Sequence, residues 1–231
     1  MKQALDNLAN KWNVEESIYD LHLGKRDDVS DSQLVVNEVV FHIPYLTRDK
    51  TFVLWRCLWP DCHNCCERQG RLPLTRDDIS LISNKMGYDS ESEFIQKETR
   101  ISSWNETSTM NNVITTISMI SLKRKENESE DQDGKPLPCR FLDDCGSCKI
   151  HPDKPGVCWL YPFSSWMESS NGKPVVHASY QLTGDCPGFY TDKTSQPMME
   201  IFQEYSKRIF AYNMSILRTT REKYGFINIV Q

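Results

Sequence analysis

Four cysteines crowd into the stretch WRCLWPDCHNCCERQG: Cys57, Cys62, Cys65 and Cys66. The other five are Cys139, Cys145, Cys148 and Cys158 within PCRFLDDCGSCKIHPDKPGVCWLYPF, and Cys186 within DCPGF. Such concentration favours a shared task. A thiolate is a nucleophile, a redox partner or a metal ligand, and spacing helps to choose among these. Cys62 and Cys65 form one C-x2-C pair, and Cys145 and Cys148 form another with Gly146 between them. A two-residue spacer lets a tight turn aim both sulfurs at one ion. Cys65 and Cys66 are neighbours, and neighbouring side chains in an extended segment point to opposite faces. They therefore fit two metals, or two irons of one cluster. Taken singly, Cys145 and Cys186 read equally well as small buried hydrophobes. His63, inside the motif, reads as a hydrogen-bonding loop residue more readily than as a ligand, and His22, His42, His151 and His177 have weaker claims.

The rest of the chain narrows the options. At 231 residues it can bury a core without covalent staples. A formal net charge of -5 argues against an extended nucleic-acid footprint. The N-terminus, MKQALDNLANKWNVEESIYD, lacks the continuous apolar run of a secretory signal, and no later segment has the apolar length of a membrane span. The sequence reads as cytoplasmic. A reducing cytosol disfavours disulfides, and nine is an odd count. A thiol-redox centre requires a helix starting at the C-x-x-C pair, yet the first clear helix after Cys65 opens near Thr75. No G-x-G-x-x-G, Walker loop, H-E-x-x-H or G-x-S-x-G is present.

The elements that must position the cysteines can be read from periodicity. Short helices are expected at 2–12 and 14–23, and strands at 34–43 and 51–57, the second delivering Cys57 at its end. TRDDISLISNKMG predicts a helix with Thr75 as N-cap, Asp78 three residues on and Gly87 as its stop. Ser90 and Glu93 repeat that pattern for a helix at 91–100. Strands are expected at 112–122 and 173–182. KRKENESEDQDGKP, 123–136, reads as a solvated acidic loop between two cysteine-bearing halves. Met198, Ile201, Phe202, Tyr205, Ile209, Tyr212 and Ile216 predict one face of a long helix from Pro197 to about Lys223.

The combination C-x4-C-x2-C-C, PLTRDDISLI, PCRFLDD, CKIHPDKPGVCWLYPF and CPGF, spanning about residues 55–190, resembles the YkgJ-type cysteine-cluster family (CxxCxxCC), whose domain is described as zinc- or iron-chelating. The resemblance implies metal or iron–sulfur binding, with Cys57, Cys62, Cys65, Cys66, Cys139, Cys148, Cys158 and Cys186 as the ligand set. It leaves out Cys145, against the C-x2-C spacing. Two departures stand out: the first spacer is four residues where the family has two, and Trp159 replaces an arginine. Relatives include flagellin lysine methylases, but nothing in this sequence marks a methyl-donor site.

The ligand type favours an iron–sulfur cluster, with zinc as the alternative. No histidine is well placed, Cys186-Pro187 resembles the C-P ending of bacterial ferredoxin motifs, and Trp55, Trp59, Trp159, Tyr161 and Phe163 could form an apolar wall, although ordinary core packing explains those aromatics equally well. The function expected is a metal-binding protein for electron transfer, sensing or support of a partner enzyme. The alternative is an iron–sulfur redox or modifying enzyme with a substrate site beside the cluster. Partners would be a redox protein or an enzyme, with neither nucleic acid nor membrane. The expected fold is α+β: a small mixed domain whose loops converge on a cysteine-ligated metal centre, plus a long C-terminal helix. The expected organisation is an N-terminal helical and strand segment at 1–50, the cysteine-cluster domain at 51–195 and the C-terminal helix, packed on that domain, at 196–231.

Overall fold

The computed structural model describes residues 6, 9–68, 72–107, 114–125, 138–170, 173–182, 186–221 and 226–229. Helices and two sheets combine in an α+β fold with a long C-terminal helix. The chain divides into two compact units, residues 1–65 with 160–213 and residues 66–159 with 214–231.

The first unit is built on a six-stranded sheet. Its strands are β1 (Val29–Val36), β2 (Val39–Leu46), β3 (Thr51–Trp55), β6 (Phe163–Ser170), β7 (Lys173–Tyr180) and β8 (Phe189–Asp192). The expected single strand at 34–43 is instead an antiparallel hairpin. Asn37, at φ 54°, takes the left-handed turn that Asn tolerates, and Val36 pairs with Val39 across it. Valines on both sides hid the turn from composition. β1 runs along one edge of β2. The other edge is shared by β7, parallel over Val39–His42, and by β3, antiparallel at Tyr45 and Leu46.

Alternation on β2 buries Val39, Phe41 and Ile43 on one face. Phe41 stacks on Phe202 of the C-terminal helix α6 (Met199–Arg221), with ring centroids 4.4 Å apart, and meets Phe163 edge-on at 5.6 Å. Phe202, Ser206, Ile209 and Asn213 form the buried stripe of α6, so the expected apolar face is crossed by two polar residues. Both are satisfied: Ser206 Oγ accepts from Asn37 Nδ2, and Asn213 Nδ2 donates to Ser165 Oγ at 2.8 Å and to the Ile209 carbonyl. The expected helix at 14–23 is α1 (Glu16–His22). Of the helix expected at 2–12, residues 9–12 are helical, and residues 1–5 and 7–8 lie outside the described set.

The second unit carries β4 (Thr99–Thr107), β5 (Ile114–Leu122) and β9 (Phe226–Ile229) in one antiparallel sheet. Helix α3 (Arg76–Met86) starts and stops as expected, with a capping box between Thr75 and Asp78 and a left-handed Gly87, φ 73°, at its end. Helix α4 (Glu91–Glu98) is capped by Ser90 and runs directly into β4, a strand the sequence reading missed. Leu72, Leu74, Ile79, Ile82, Phe94, Leu122, Phe141, Leu142 and Ile150 form its core, and Cys139 is buried among them.

One expectation fails at residue level. Arg124, assigned to a solvated loop, is 4% exposed. The Lys123 N–H donates to the Glu98 carbonyl and the Lys125 N–H to the Pro138 carbonyl, so the chain beyond β5 stays extended and turns alternate side chains inward. Residues 126–137 of that stretch lie outside the described set.

Candidate metal centres

The unit boundary falls between the adjacent cysteines: Cys65 belongs to the first unit and Cys66 to the second. The eight cysteines that carry the family pattern divide accordingly into two sets of four. Cys57, Cys62, Cys65 and Cys186 lie in the first unit, and Cys66, Cys139, Cys148 and Cys158 in the second. No disulfide joins any of the nine cysteines.

In the second unit, Cys66, Cys148 and Cys158 pack on the same core that buries Cys139. Three backbone features fix this gathering. The Cys139 N–H donates to the Cys66 carbonyl at 2.7 Å, Cys139 bridges Arg124 at the end of β5, and Leu142 bridges Cys148. Burial pushes the Cys139 thiol up, opposed by the Phe141 N–H and the Arg124 guanidinium. Burial likewise raises Cys148, opposed by the N–H groups of Ile150 and His151. It raises Cys158 furthest, and neighbouring Cys139 and Cys66 add to the rise. These are sulfurs held close enough to feel one another.

Cys158 sits on the short helix α5 (Gly156–Leu160), whose start is held from a distance in sequence. The Gly156 N–H donates to Asp78 Oδ1 at 2.8 Å, while Asp78 Oδ2 accepts from the Thr75 N–H and hydroxyl, both at 2.8 Å. One buried carboxylate thus caps α3 and anchors the turn that presents Cys158. Sequence reasoning saw only the cap; the second partner is 78 residues away. Asp78→Ala should cost about 2–4 kcal/mol in urea unfolding, because it removes a cap and strands buried donors. A loss below about 1 kcal/mol would show that Asp78 does not hold that turn.

In the first unit, strands β3 and β8 bring Cys57 and Cys186 to one end of the sheet. Trp55 pairs with Phe189, and beyond it the Arg56 N–H donates to the Gly188 carbonyl at 3.0 Å. Gly188 is required there, since a Cβ would stand 2.0 Å from the Arg56 carbonyl oxygen. The Trp55 indole N–H donates to Cys186 Sγ at 3.2 Å. Burial lifts the Cys186 thiol to about 11, opposed by the Gly188 N–H and the Trp55 N–H, and Cys62 and Cys57 push it up further. Cys57 and Cys65 both act on the Tyr205 hydroxyl, which burial raises most.

A recurring local pattern runs through both sets. The N–H two residues after the cysteine points at the sulfur of Cys139, Cys148 and Cys186, from Phe141, Ile150 and Gly188. Donors placed this way stabilise a thiolate over a thiol, and hydrogen bonds to sulfur tune a bound centre. The sulfur-only donor set suits zinc or iron–sulfur. Among the described residues, no three or more His, Cys, Asp and Glu side chains already form a cage around an ion position.

Other sequence candidates take different places. Cys145 is exposed, on a turn whose N–H donates to Asp143, and is not part of the second unit's core cluster. The aromatic wall is not one surface. Trp59 is 63% exposed, Phe163 belongs to the Phe41–Phe202 core, and Trp159 lies under Lys154, 4.1 Å from its ring centroid. Arg124 is the residue that sequence reasoning missed altogether. Burial lowers its pKa, while Cys139, Cys158 and Cys66 favour its charge.

No helix among the described residues is long and apolar enough to cross a membrane. No curated protein and no solved structure matches the chain. A family model, "CxxCxxCC: Putative zinc- or iron-chelating domain", matches residues 56–187. That match covers more than half of the 231 residues and takes in all nine cysteines, so the chain belongs to the CxxCxxCC family of zinc- or iron-chelating domains.

Proposed function

We propose that the chain is an iron–sulfur protein with two four-thiolate centres, one held by Cys57, Cys62, Cys65 and Cys186 and the other by Cys66, Cys139, Cys148 and Cys158. The observation that carries this is the division of the family cysteines into two sets of four, with the adjacent pair split between them. Cys65 and Cys66 lie on the short helix α2 (Asn64–Arg68) and not in the extended segment expected; neighbouring side chains on a helix diverge by about 100° around its axis, which supports separate centres for the two sulfurs. Four thiolates per centre leave no protein ligand of another type. A bound cluster would supply one-electron redox chemistry, and the protein's part is to exclude water and set the charge around the sulfurs. The apolar core about Cys139, the N–H groups aimed at three sulfurs and the buried Arg124 suit that role. Electron transfer to a partner protein or enzyme is the function this arrangement fits. Thiolate ligands persist most readily in a reducing compartment, which supports the cytosol as the place of action.

Closed four-sulfur sites also suit structural zinc, and one experiment separates the metals. Protein purified without oxygen is expected to be brown, to bleach on reduction, and to contain iron and acid-labile sulfide. Colourless protein containing zinc would overturn the redox reading and keep the thiolate centres. Cys145→Ser is expected to leave the metal content unchanged. A loss equal to that of Cys148→Ser would place Cys145 in the ligand set.

A further inference from the structure

The outer face of the first unit's sheet carries a chain of polar contacts that plays no part in the cysteine sets. Alternation turns Asp31 of β1, His42 of β2, His177 of β7, and Trp166 and Glu168 of β6 to that face, opposite buried Phe41, Val176 and Phe163. His42 Nδ1 lies 2.7 Å from Asp31 Oδ2, and His42 Nε2 lies 3.0 Å from His177 Nδ1. His177 Nε2 lies 3.7 Å from Glu168 Oε2, while Glu168 Oε1 accepts from the Trp166 indole N–H at 3.0 Å. The indole stacks on both imidazoles, with centroids 5.2 and 5.3 Å away, which fixes their planes. The imidazoles keep 18% and 15% of their side-chain surface exposed, so the site is open to solutes.

Proton placement is the difficulty. Asp31 takes the N–H of His42 Nδ1, which leaves His42 Nε2 with a lone pair aimed at His177. Should Glu168 likewise take the N–H of His177 Nε2, the facing Nδ1 is also a lone pair. Should His177 instead donate to His42, its own lone pair faces the Glu168 carboxylate. The first arrangement sets two lone pairs against each other and the second sets a lone pair against a carboxylate; a metal ion between the rings, or a proton on one of them, relieves either. A hydrogen-bonded carboxylate is the usual support for a metal-binding histidine; Asp31 stands so behind His42, while Glu168, at 3.7 Å, is within ion-pair range of His177 only. Two nitrogens bound at about 2.1 Å stand about 3.0 Å apart at the right angle of a tetragonal ion, and about 3.4 Å apart in a tetrahedral site.

We propose that His42 and His177 form a second kind of metal site, for a divalent first-row ion of tetragonal preference such as Ni2+ or Cu2+. Asp31 orients His42, Trp166 holds both ring planes, Glu168 adds negative charge beside His177, and water or a small anion completes the coordination. Imidazole ligands select ions of this class. The site is independent of the thiolate centres.

The test uses the full chain with its thiolate centres filled and oxygen excluded, dialysed against Ni2+ alone. Wild type is expected to bind one more equivalent than the double variant His42→Gln/His177→Gln, with iron, sulfide and zinc contents equal in the two. Each single histidine variant should lose at least about tenfold in affinity, and Asp31→Asn about tenfold. Paramagnetic broadening of the His42 and His177 ring signals by Ni2+ in wild type reads the site without a variant. Equal Ni2+ uptake by wild type and double variant, or ring signals that Ni2+ leaves sharp, would overturn the proposal. The pair would then be a proton-sharing contact. Failure of the cysteine reading would appear separately, in the iron, sulfide and zinc contents.

Discussion

Stripping the metal should unfold the second unit. Four buried or half-buried sulfurs sit on its core, and metal ligation by such a set contributes on the order of 10 kcal/mol to folding. A whole domain is typically stable by only about 5–15 kcal/mol. Loss of the ion therefore removes most or all of the margin. Burial raises Cys139, Cys148 and Cys158, so in metal-free protein these are protonated thiols near neutral pH, and metal uptake releases their protons. Metal binding then weakens as pH falls, because protons compete for the same sulfurs. The measurement is amide exchange before and after chelation under reducing conditions. Protection at Leu74, Ile79, Phe94, Leu122 and Ile150 is expected to collapse; unchanged protection would show a core that holds itself together.

Arg124→Met should weaken metal retention at the second centre by about 3–5 kcal/mol, roughly two to four powers of ten in affinity. Four thiolates around a divalent ion carry net negative charge, and Arg124 is a buried cation coupled to Cys139, Cys158 and Cys66. Methionine fills similar volume and removes the charge together with the guanidinium donors. Arg124→Lys should restore part of the affinity but not all of it, since ammonium lacks the planar fork. Chelator competition reads both variants. Equal retention by wild type and Arg124→Met would mean that the guanidinium does not compensate the centre.

How much of this was legible in the sequence depends on the range of the interaction. The caps of α3 and α4 were readable because Thr75 with Asp78 and Ser90 with Glu93 are local hydrogen-bond pairs three residues apart. The α6 stripe was readable for the same reason, although Ser206 and Asn213 on it were not, since their partners Asn37 and Ser165 are remote in sequence. Strands β4 and β6 were missed because Ser- and Thr-rich stretches carry little apolar alternation, and only pairing with β5 and β7 makes them strands. The cysteine set came from the resemblance to the CxxCxxCC family, against the C-x2-C spacing that would have taken in Cys145, while its division into two groups required the fold. Arg124 was misread because its neighbours in sequence are charged, whereas its neighbours in space are sulfurs.

The claim on which the account rests is that Cys65 and Cys66 serve different centres. Metal and sulfide content per chain, measured for wild type, Cys65→Ser and Cys66→Ser purified without oxygen, tests it directly. Each variant is expected to keep about half the wild-type content, the remainder lying in the first unit for Cys66→Ser and in the second for Cys65→Ser, with Cys65→Ser/Cys66→Ser keeping none. Complete loss from either single variant would mean one shared centre, and full retention in both would mean that neither sulfur is a ligand.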